Sequence, residues 1–194
     1  MFDIDEFIAD CQTVRSETDT PGAIKEVLER ALAGCDDVAQ ALCPSEGGIT
    51  VLYQSADLTI LNVAWAPSMR IQAHDHRMWA AIGIYTGQED NSFYRRSAPG
   101  SNRLTASGGK TLTAGDVAVL GDKVVHSVAN PLDRLTAAIH IYGGDFVNQT
   151  RSQWASASAE EQPFDLHEAR SEFADANRAW RKRAVVSTQA RLPE

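Results

Sequence analysis

The spacing of apolar residues divides the chain into regions of different secondary structure. Within residues 1–45 apolar side chains recur every three or four positions, which is typical of amphipathic helices. A first helix is predicted from the apolar positions Phe2, Ile4, Phe7, Ile8 and Cys11. A second is signalled by Thr20-Pro21, interpreted as an N-cap followed by proline at the first helical position, and ends near Gly34. A short third helical segment is expected at Val38–Leu42.

From residue 46 to residue 145 the period shortens to about two residues, as in half-buried strands. The predicted strands are, in chain order, Ile49–Tyr53, Leu58–Trp65, Met78–Tyr85, Ser92–Arg95, Lys110–Thr113, Asp116–Leu120, His126–Ala129 and Leu135–Tyr142. Turns rich in Gly, Pro and Asn separate them, which favours a sandwich or barrel over alternating βαβ units. Residues 146–194 form a more polar extension with one further amphipathic helix at Phe164–Trp180. The expected fold is a single, mainly β domain with helices at both ends.

Composition narrows the classes of partner and location. The 194 residues suffice for one domain with its own core. A net charge of −8 argues against a nucleic-acid partner, and the one basic cluster, Arg178–Arg183, is interpreted as a charged helix end. No apolar stretch approaches the roughly 20 residues of a membrane span, and the residues after Met1 are acidic where a signal peptide is basic. The odd set Cys11, Cys35 and Cys43 is expected to be reduced, which indicates a cytoplasmic protein.

Three histidines are the candidate metal ligands. On a strand, residues i and i+2 share a face, so His74 and His76 would project together, about 7 Å apart, with Asp75 on the other side. His126, which follows a glycine-rich turn, is the natural third ligand. The alternative is that each is a hydrogen-bonded core histidine. Because neutral imidazole is the commonest metal ligand, the set predicts a metal site.

The histidine pair lies in a stretch that resembles the first motif of the cupin superfamily, G-x5-H-x-H-x3,4-E-x6-G. Here the pair is His74-Asp75-His76, Gly87 stands near the closing glycine, and Pro67 or Ser68 stands near the opening one. Cupins have a double-stranded β-helix, which is a jelly-roll barrel. The resemblance therefore implies that fold, with a metal inside it.

The second cupin motif, G-x5-P-x-G-x2-H-x3-N, is also matched. Gly115, His126 and Asn130 are in register, while Gly121-Asp122-Lys123 replaces the Pro-x-Gly turn. Cupins host many reactions, so the match indicates fold and metal rather than one activity.

The glutamate ligand of most metal cupins is absent. The positions where it would stand are Ala80 and Ala81. Three neutral histidines would leave the full positive charge of the metal for an anionic bidentate substrate, such as a thiolate with a second donor. Glu89 would become a fourth ligand only if its hairpin bent it inward.

A cupin with three histidines and no glutamate resembles the cysteine dioxygenase family. That family carries Ser-x-His-x-Tyr on its last barrel strand, and this chain has Ala138-Ile139-His140-Ile141-Tyr142. The resemblance implies that Tyr142 hydrogen-bonds substrate or oxygen and that His140 orients its hydroxyl. The alternative is a pair of core residues that satisfy each other.

Two departures leave the substrate open. Ala138 removes the serine hydroxyl of the family pattern, and the arginine that clamps the substrate carboxylate is missing near Gln54. Either another cation replaces it or the substrate lacks a carboxylate. The candidate cations are Arg70, Arg77, Arg95 and Arg96. Strand alternation turns Arg77 away from His76, and the other three are more typical of solvated strand residues. A bidentate arginine contact is not replaced by an amide without loss.

The expected function is oxidation of a small, cysteine-like thiol to its sulfinate by O₂ at Fe(II). The alternatives are another metal-dependent cupin enzyme acting on a non-thiol metabolite, with Zn, Ni or Mn as the metal, and a cupin that binds a metabolite without catalysis. The expected partners are a small molecule and O₂, with neither nucleic acid nor membrane. Edge strands of cupin barrels often pair, so a homodimer is also considered.

Overall fold

In the computed structural model, two antiparallel β-sheets face each other and helices flank them. The structure describes residues 1–16, 18–98, 100–157 and 159–189; the end of the predicted C-terminal extension, 190–194, lies outside these ranges. Three helices precede the sheets: α1 (Ile4–Val14), α2 (Thr20–Leu32) and α3 (Cys35–Leu42). A long helix, α4 (Leu166–Gln189), follows them. No described helix has the length and apolar character needed to cross a membrane.

Between Trp65 and Ser152 the chain passes repeatedly from one sheet to the other. They are β1 (Gly48–Gln54), β2 (Thr59–Trp65), β3 (Arg70–Asp75), β4 (Ala80–Thr86), β5 (Gln88–Arg96), β6 (Leu104–Thr113), β7 (Val117–Leu120), β8 (Val125–Ala129), β9 (Thr136–Tyr142), β10 (Ser152–Trp154) and β11 (Gln162–Pro163). One sheet has the order β1-β2-β9-β4-β7 and the other β11-β10-β3-β8-β5-β6. Strands that cross between two antiparallel sheets in this way form a jelly roll. The predicted mainly β, double-stranded β-helix fold with flanking helices is confirmed.

Several element boundaries differ from the sequence-based prediction. Thr20 is the first helical residue and not the N-cap, because the side chain of Asp19 accepts a hydrogen bond from the Gly22 backbone. The histidine pair does not continue one strand: β3 ends at Asp75, and the backbone at Arg77 has φ 56°, which turns the chain before β4. The short strands β10 and β11 were missed because two or three residues carry no readable period.

The C-terminal helix is also longer than predicted. It continues to Gln189, so the basic cluster Arg178–Arg183 lies within α4 and not at its end. Arg181 pairs with Glu46, and Arg183 donates to the backbone carbonyl of Pro67. These contacts hold α4 against the first strands of the barrel.

Two apolar clusters lie on the two faces of the five-stranded sheet. The inner cluster fills the space between the sheets and includes Leu61, Ile82 and Leu112. The outer cluster joins the sheet to the N-terminal helices. Helix α2 approaches β4 closely because Gly83 has no side chain; a Cβ there would stand 2.8 Å from Leu32 Cδ1. A cavity that borders this inner cluster is lined by the histidines.

Candidate metal centre

Two paired strands and the turn after one of them carry the three candidate ligands. His74, near the end of β3, lies opposite His126 of β8 in the strand register. His76 is one residue beyond the end of β3, before the turn at Arg77. All three side chains are buried. His76 therefore meets the other two histidines because of this turn, and not because residues i and i+2 of one strand share a face.

The three imidazoles converge through their Nε2 atoms. His76 Nε2 is 3.3 Å from His74 Nε2 and 3.2 Å from His126 Nε2, and one ring nitrogen from each lies within 4.8 Å of the others. With metal–nitrogen bonds of about 2.1 Å, ligand nitrogens at octahedral or tetrahedral angles stand about 3.0–3.4 Å apart. The spacing therefore fits one metal ion bound by three histidines.

Burial keeps these histidines neutral, which is the form that binds metal. It lowers the pKa of His74 to about 4. Burial, reinforced by the neighbouring imidazoles, lowers the pKa of His76 and of His126 well below the usual value. The triad is therefore uncharged at neutral pH.

Backbone and side-chain carbonyls orient two of the ligands. His74 Nδ1 is 3.0 Å from the carbonyl of Gln72, and His126 Nδ1 is 2.7 Å from Asn91 Oδ1. Since a carbonyl only accepts, each Nδ1 donates its proton and each Nε2 keeps a free lone pair. His76 Nδ1 is buried without a partner among the described residues.

The predicted pair on the last barrel strand lies beside the triad. His140 and Tyr142 share a face of β9, and His140 Nδ1 is 3.1 Å from the Tyr142 hydroxyl. The Tyr142 ring packs edge-on against His76, with centroids 5.1 Å apart. Burial raises the pKa of Tyr142, so its hydroxyl keeps its proton.

The side chain of Glu89 does bend inward, but it contacts residues other than the three candidate metal ligands. It is fully buried, and it accepts hydrogen bonds from Trp65 Nε1 at 2.7 Å and Asn91 Nδ2 at 2.9 Å. Its Oε2 is 3.6 Å from His140 Nε2. Within the described residues the group that could hold a metal ion consists of His74, His76 and His126, without Glu89.

The cations considered from the sequence lie elsewhere. Arg77 and Arg96 both pair with Glu161, while Arg70 and Arg95 are exposed, and none of the four lines the cavity at the triad. Besides the exposed Arg170 of α4, the cation that lines that cavity is Arg151, which is buried in the segment before β10. The sequence offered no period or motif there to identify it.

Arg151 is buried and forms no close ion pair with a carboxylate among the described residues, although the charge of Asp75 acts on it from farther away. Its guanidinium lies 3.9 Å from the Phe146 ring centroid and 4.1 Å from that of Phe164. Nη1 donates to the Phe146 carbonyl, whereas Nε is buried and meets no hydrogen-bond partner in the part of the chain that the structure describes. Burial lowers the pKa of Arg151 from its usual value.

The segment that carries Arg151 is joined to the ligand strand. The Ser152 backbone N–H donates to Asp75 Oδ1 at 2.7 Å, and Gln153 of β10 pairs with His74 in the strand register. Asp75, the residue between the two histidines, is buried, does not line the cavity of the triad, and anchors the neighbouring strand.

The triad, Arg151 and the His140–Tyr142 pair line one cavity of about 240 Å³. Its other walls are mainly apolar and include Leu61, Val63, Ile71, Val128 and Phe173. The site thus combines one neutral nitrogen cluster, one buried cation and apolar walls. A small anionic ligand fits this combination.

Comparisons with solved structures return cupins at low similarity, and no known family model matches the chain. A cupin superfamily protein from Desulfitobacterium hafniense is 15% identical, with a TM-score of 0.42 over 52% of this chain and 80% of its own. An RmlC-like cupin family protein with a double-stranded β-helix fold, from Methanocaldococcus jannaschii, is 8% identical, with a TM-score of 0.44 over 54% and 85%. An oxalate oxidase in complex with the substrate analogue glycolate is 16% identical, with a TM-score of 0.40 over 53% of each chain.

Similarities this low do not by themselves assign the chain to a family. Its strand order is that of a double-stranded β-helix, and it contains a three-histidine group that could hold a metal ion.

Proposed function

We propose that this protein is a mononuclear non-haem iron thiol dioxygenase whose substrate is a small thiol bearing a carboxylate. The reaction is R–S⁻ + O₂ → R–SO₂⁻, in which sulfur is oxidised and both oxygen atoms are retained in the product. Fe(II) held by His74, His76 and His126 would supply the centre at which thiolate and O₂ meet. The observation that carries the proposal is a neutral three-histidine group sharing a cavity with an unpaired buried arginine.

The neutral ligand set favours an anionic substrate. Among the described residues the group that could hold the metal consists of histidines without a carboxylate, so none of its members offsets the charge of a divalent metal. A thiolate is a soft anionic donor and supplies that charge. If a glutamate were among the ligands, its negative charge would weaken this preference for an anionic substrate.

Arg151 favours a carboxylate on the same substrate. A buried cation without an anionic partner is costly, and its cost falls when an anion binds. The guanidinium is held between two aromatic rings and by the Phe146 carbonyl, so it is already positioned before a ligand arrives. Arg151 would thus bind the substrate carboxylate, a role for which the amide of Gln54 lacks the charge.

Tyr142 and His140 would hold a proton beside the reacting atoms. Tyr142 packs on a ligand histidine, and His140 contacts its hydroxyl. The hydroxyl stays protonated because burial raises its pKa. Its one proton rests on His140 Nδ1 before substrate binds and would turn to an oxygen of the bound reactants afterwards. The apolar walls exclude water that would otherwise compete for that proton.

A second candidate is a metal-dependent cupin that acts on a non-thiol carboxylate. Arg151 favours it equally, because a guanidinium recognises the carboxylate and not the sulfur. Zn, Ni or Mn would then compete with iron as the native metal.

The test is anaerobic loading with Fe(II), followed by O₂ uptake and sulfinate detection. We expect turnover of cysteine or 3-mercaptopropionate, and little turnover of cysteamine, which lacks the carboxylate. Arg151→Gln should raise the KM of the carboxylate thiols about 10- to 100-fold, from the loss of a charged hydrogen-bonded contact. The matched control is Arg70→Gln, at an exposed position outside the cavity.

Absence of sulfinate from every thiol would exclude the thiol dioxygenase. Turnover of a hydroxy or oxo carboxylate in its place would support the second candidate. Equal turnover of cysteine and cysteamine would contradict the role of Arg151.

A further inference from the structure

A single buried carboxylate connects the metal ligands to the residues behind Tyr142. Glu89 lies on β5, where burial alternates so that Glu89 and Asn91 both face inward. One carboxylate oxygen accepts from Asn91, and the other accepts from Trp65 and faces His140. Neither the cupin motifs nor the ligand set assigns a role to this residue.

The charge of Glu89 makes it an acceptor only. Burial alone would raise its pKa, but the contacts with His140, Asn91 and Trp65 together lower it. An ionised carboxylate has no proton to donate, so each neighbour must present an N–H to it.

This requirement fixes the orientation of Asn91. With its NH₂ group directed at Glu89, its carbonyl oxygen must face His126, which it does at 2.7 Å from Nδ1. His126 must then carry its proton on Nδ1. Its Nε2, which converges with the other ligands, is left with a lone pair.

The second branch runs through His140. Its Nε2 faces Glu89 Oε2 at 3.6 Å and has no closer partner among the described residues. If the ring carries a single proton, the carboxylate attracts that proton to Nε2, which leaves Nδ1 as an acceptor. The Tyr142 hydroxyl, 3.1 Å away, then donates to it.

We propose that Glu89 is a positioning residue that fixes the tautomers of two histidines, His126 through Asn91 and His140 directly. The first tautomer exposes a metal-binding lone pair, and the second orients the Tyr142 hydroxyl. The proposal rests on the metal-binding part of the proposed function and not on the identity of the substrate.

Glu89→Gln separates this role from simple packing. The amide has the shape of the acid but only one oxygen, and Trp65 retains that oxygen because its indole can only donate. The new NH₂ group then faces Asn91, which turns over and presents its own NH₂ to His126. His126 must accept on Nδ1, so its proton moves to Nε2 and blocks the metal position.

The measurement is the ¹⁵N NMR spectrum of the histidine ring nitrogens in the metal-free protein. The signals of His126 are identified by comparison with a variant that lacks this histidine. We expect Nδ1–H in the natural sequence and Nε2–H in Glu89→Gln. Affinity for Zn(II), measured against a competing chelator, should fall about 10- to 100-fold, as is usual when a group that orients a ligand is lost. The matched control is Asp90→Asn: its carboxylate is adjacent on β5 but accepts from Gln88 and Thr111.

Glu89→Gln/Asn91→Asp provides the rescue. The new amide donates to Asp at position 91, whose carboxylate accepts from His126 Nδ1, so the Nδ1–H tautomer and the Zn(II) affinity should return. This double variant also decides the question if the single variant does not fold.

An unchanged His126 tautomer in Glu89→Gln would overturn the proposal, even if metal affinity fell, because the effect would then be one of charge alone. A double variant that folds with Nε2–H would overturn it equally. Both readouts are free of thiol and O₂, so they stand whether or not the dioxygenase activity is found.

Discussion

Acidifying the metal-free protein should destabilise it through the triad. For His74 the folded pKa is about 4, against about 6.5 in the unfolded chain. Between these values the unfolded state binds the extra proton, so stability is complete above pH 6.5 and falls as the pH falls toward 4. The resulting loss is about 2 kcal/mol at pH 5 and about 3 kcal/mol at pH 4 from His74 alone. The pKa values of His76 and His126 shift in the same direction and add to it.

Urea unfolding of the metal-free protein at pH 7, 6 and 5 measures this loss in a window where most carboxylates stay ionised. Glu172 opposes the trend, because burial raises its pKa to about 6, so the comparison must be made between variants. His74→Gln should reduce the loss between pH 7 and pH 5 by about 2 kcal/mol. The control is His167→Gln, at an exposed position on α4, which should leave the loss unchanged. Equal losses in His74→Gln and in the natural sequence would refute the assignment of a buried, neutral triad.

Three other substitutions test the site and the packing around it. His126→Ala should abolish stoichiometric metal binding, measured by elemental analysis, with the circular dichroism spectrum retained; full metal occupancy would contradict the ligand assignment. Tyr142→Phe should preserve metal content and lower kcat about 10²-fold, the lower range for loss of a proton donor, in a steady-state O₂ assay; unchanged kcat would remove the hydroxyl from the reaction. Gly83→Val should cost about 1–3 kcal/mol in urea unfolding because its side chain would overlap Leu32, whereas Gly48→Ala, whose Cβ meets no atom within 4 Å, should cost less than that.

The parts of the site that could be predicted from sequence are those fixed by strand periodicity and by ligand chemistry. The rise per residue places His140 and Tyr142 on one face of β9, and the structure has them in contact. The three candidate ligands carry the same donor type and fall at the strand ends where a barrel brings chain segments together. These inferences needed only local geometry and side-chain chemistry.

The missed residues depend on contacts between distant segments. Arg151 lies in a short loop between β9 and β10, where neither a period nor a motif marks the direction of a side chain. Strand alternation does place Glu89 and Asn91 together on the inward face of β5, but a glutamate in a strand ordinarily faces solvent. Only the donors around it, Trp65 above all, explain why this one is buried. The turn at Arg77 was likewise hidden, since an arginine rarely adopts positive φ.

The hydrogen bond from Ser152 to Asp75 fixes the separation between the histidine triad and the Arg151 guanidinium. Asp75 stands between two ligand histidines, and Ser152 directly follows Arg151, so the nitrogen cluster and the guanidinium belong to one braced unit. Pairing of Gln153 with His74 braces it a second time. A rigid span of this kind discriminates between molecules by the number of carbons that separate their two anionic ends. Selectivity among otherwise similar mercapto acids would then depend on Asp75, a buried aspartate that does not line the cavity.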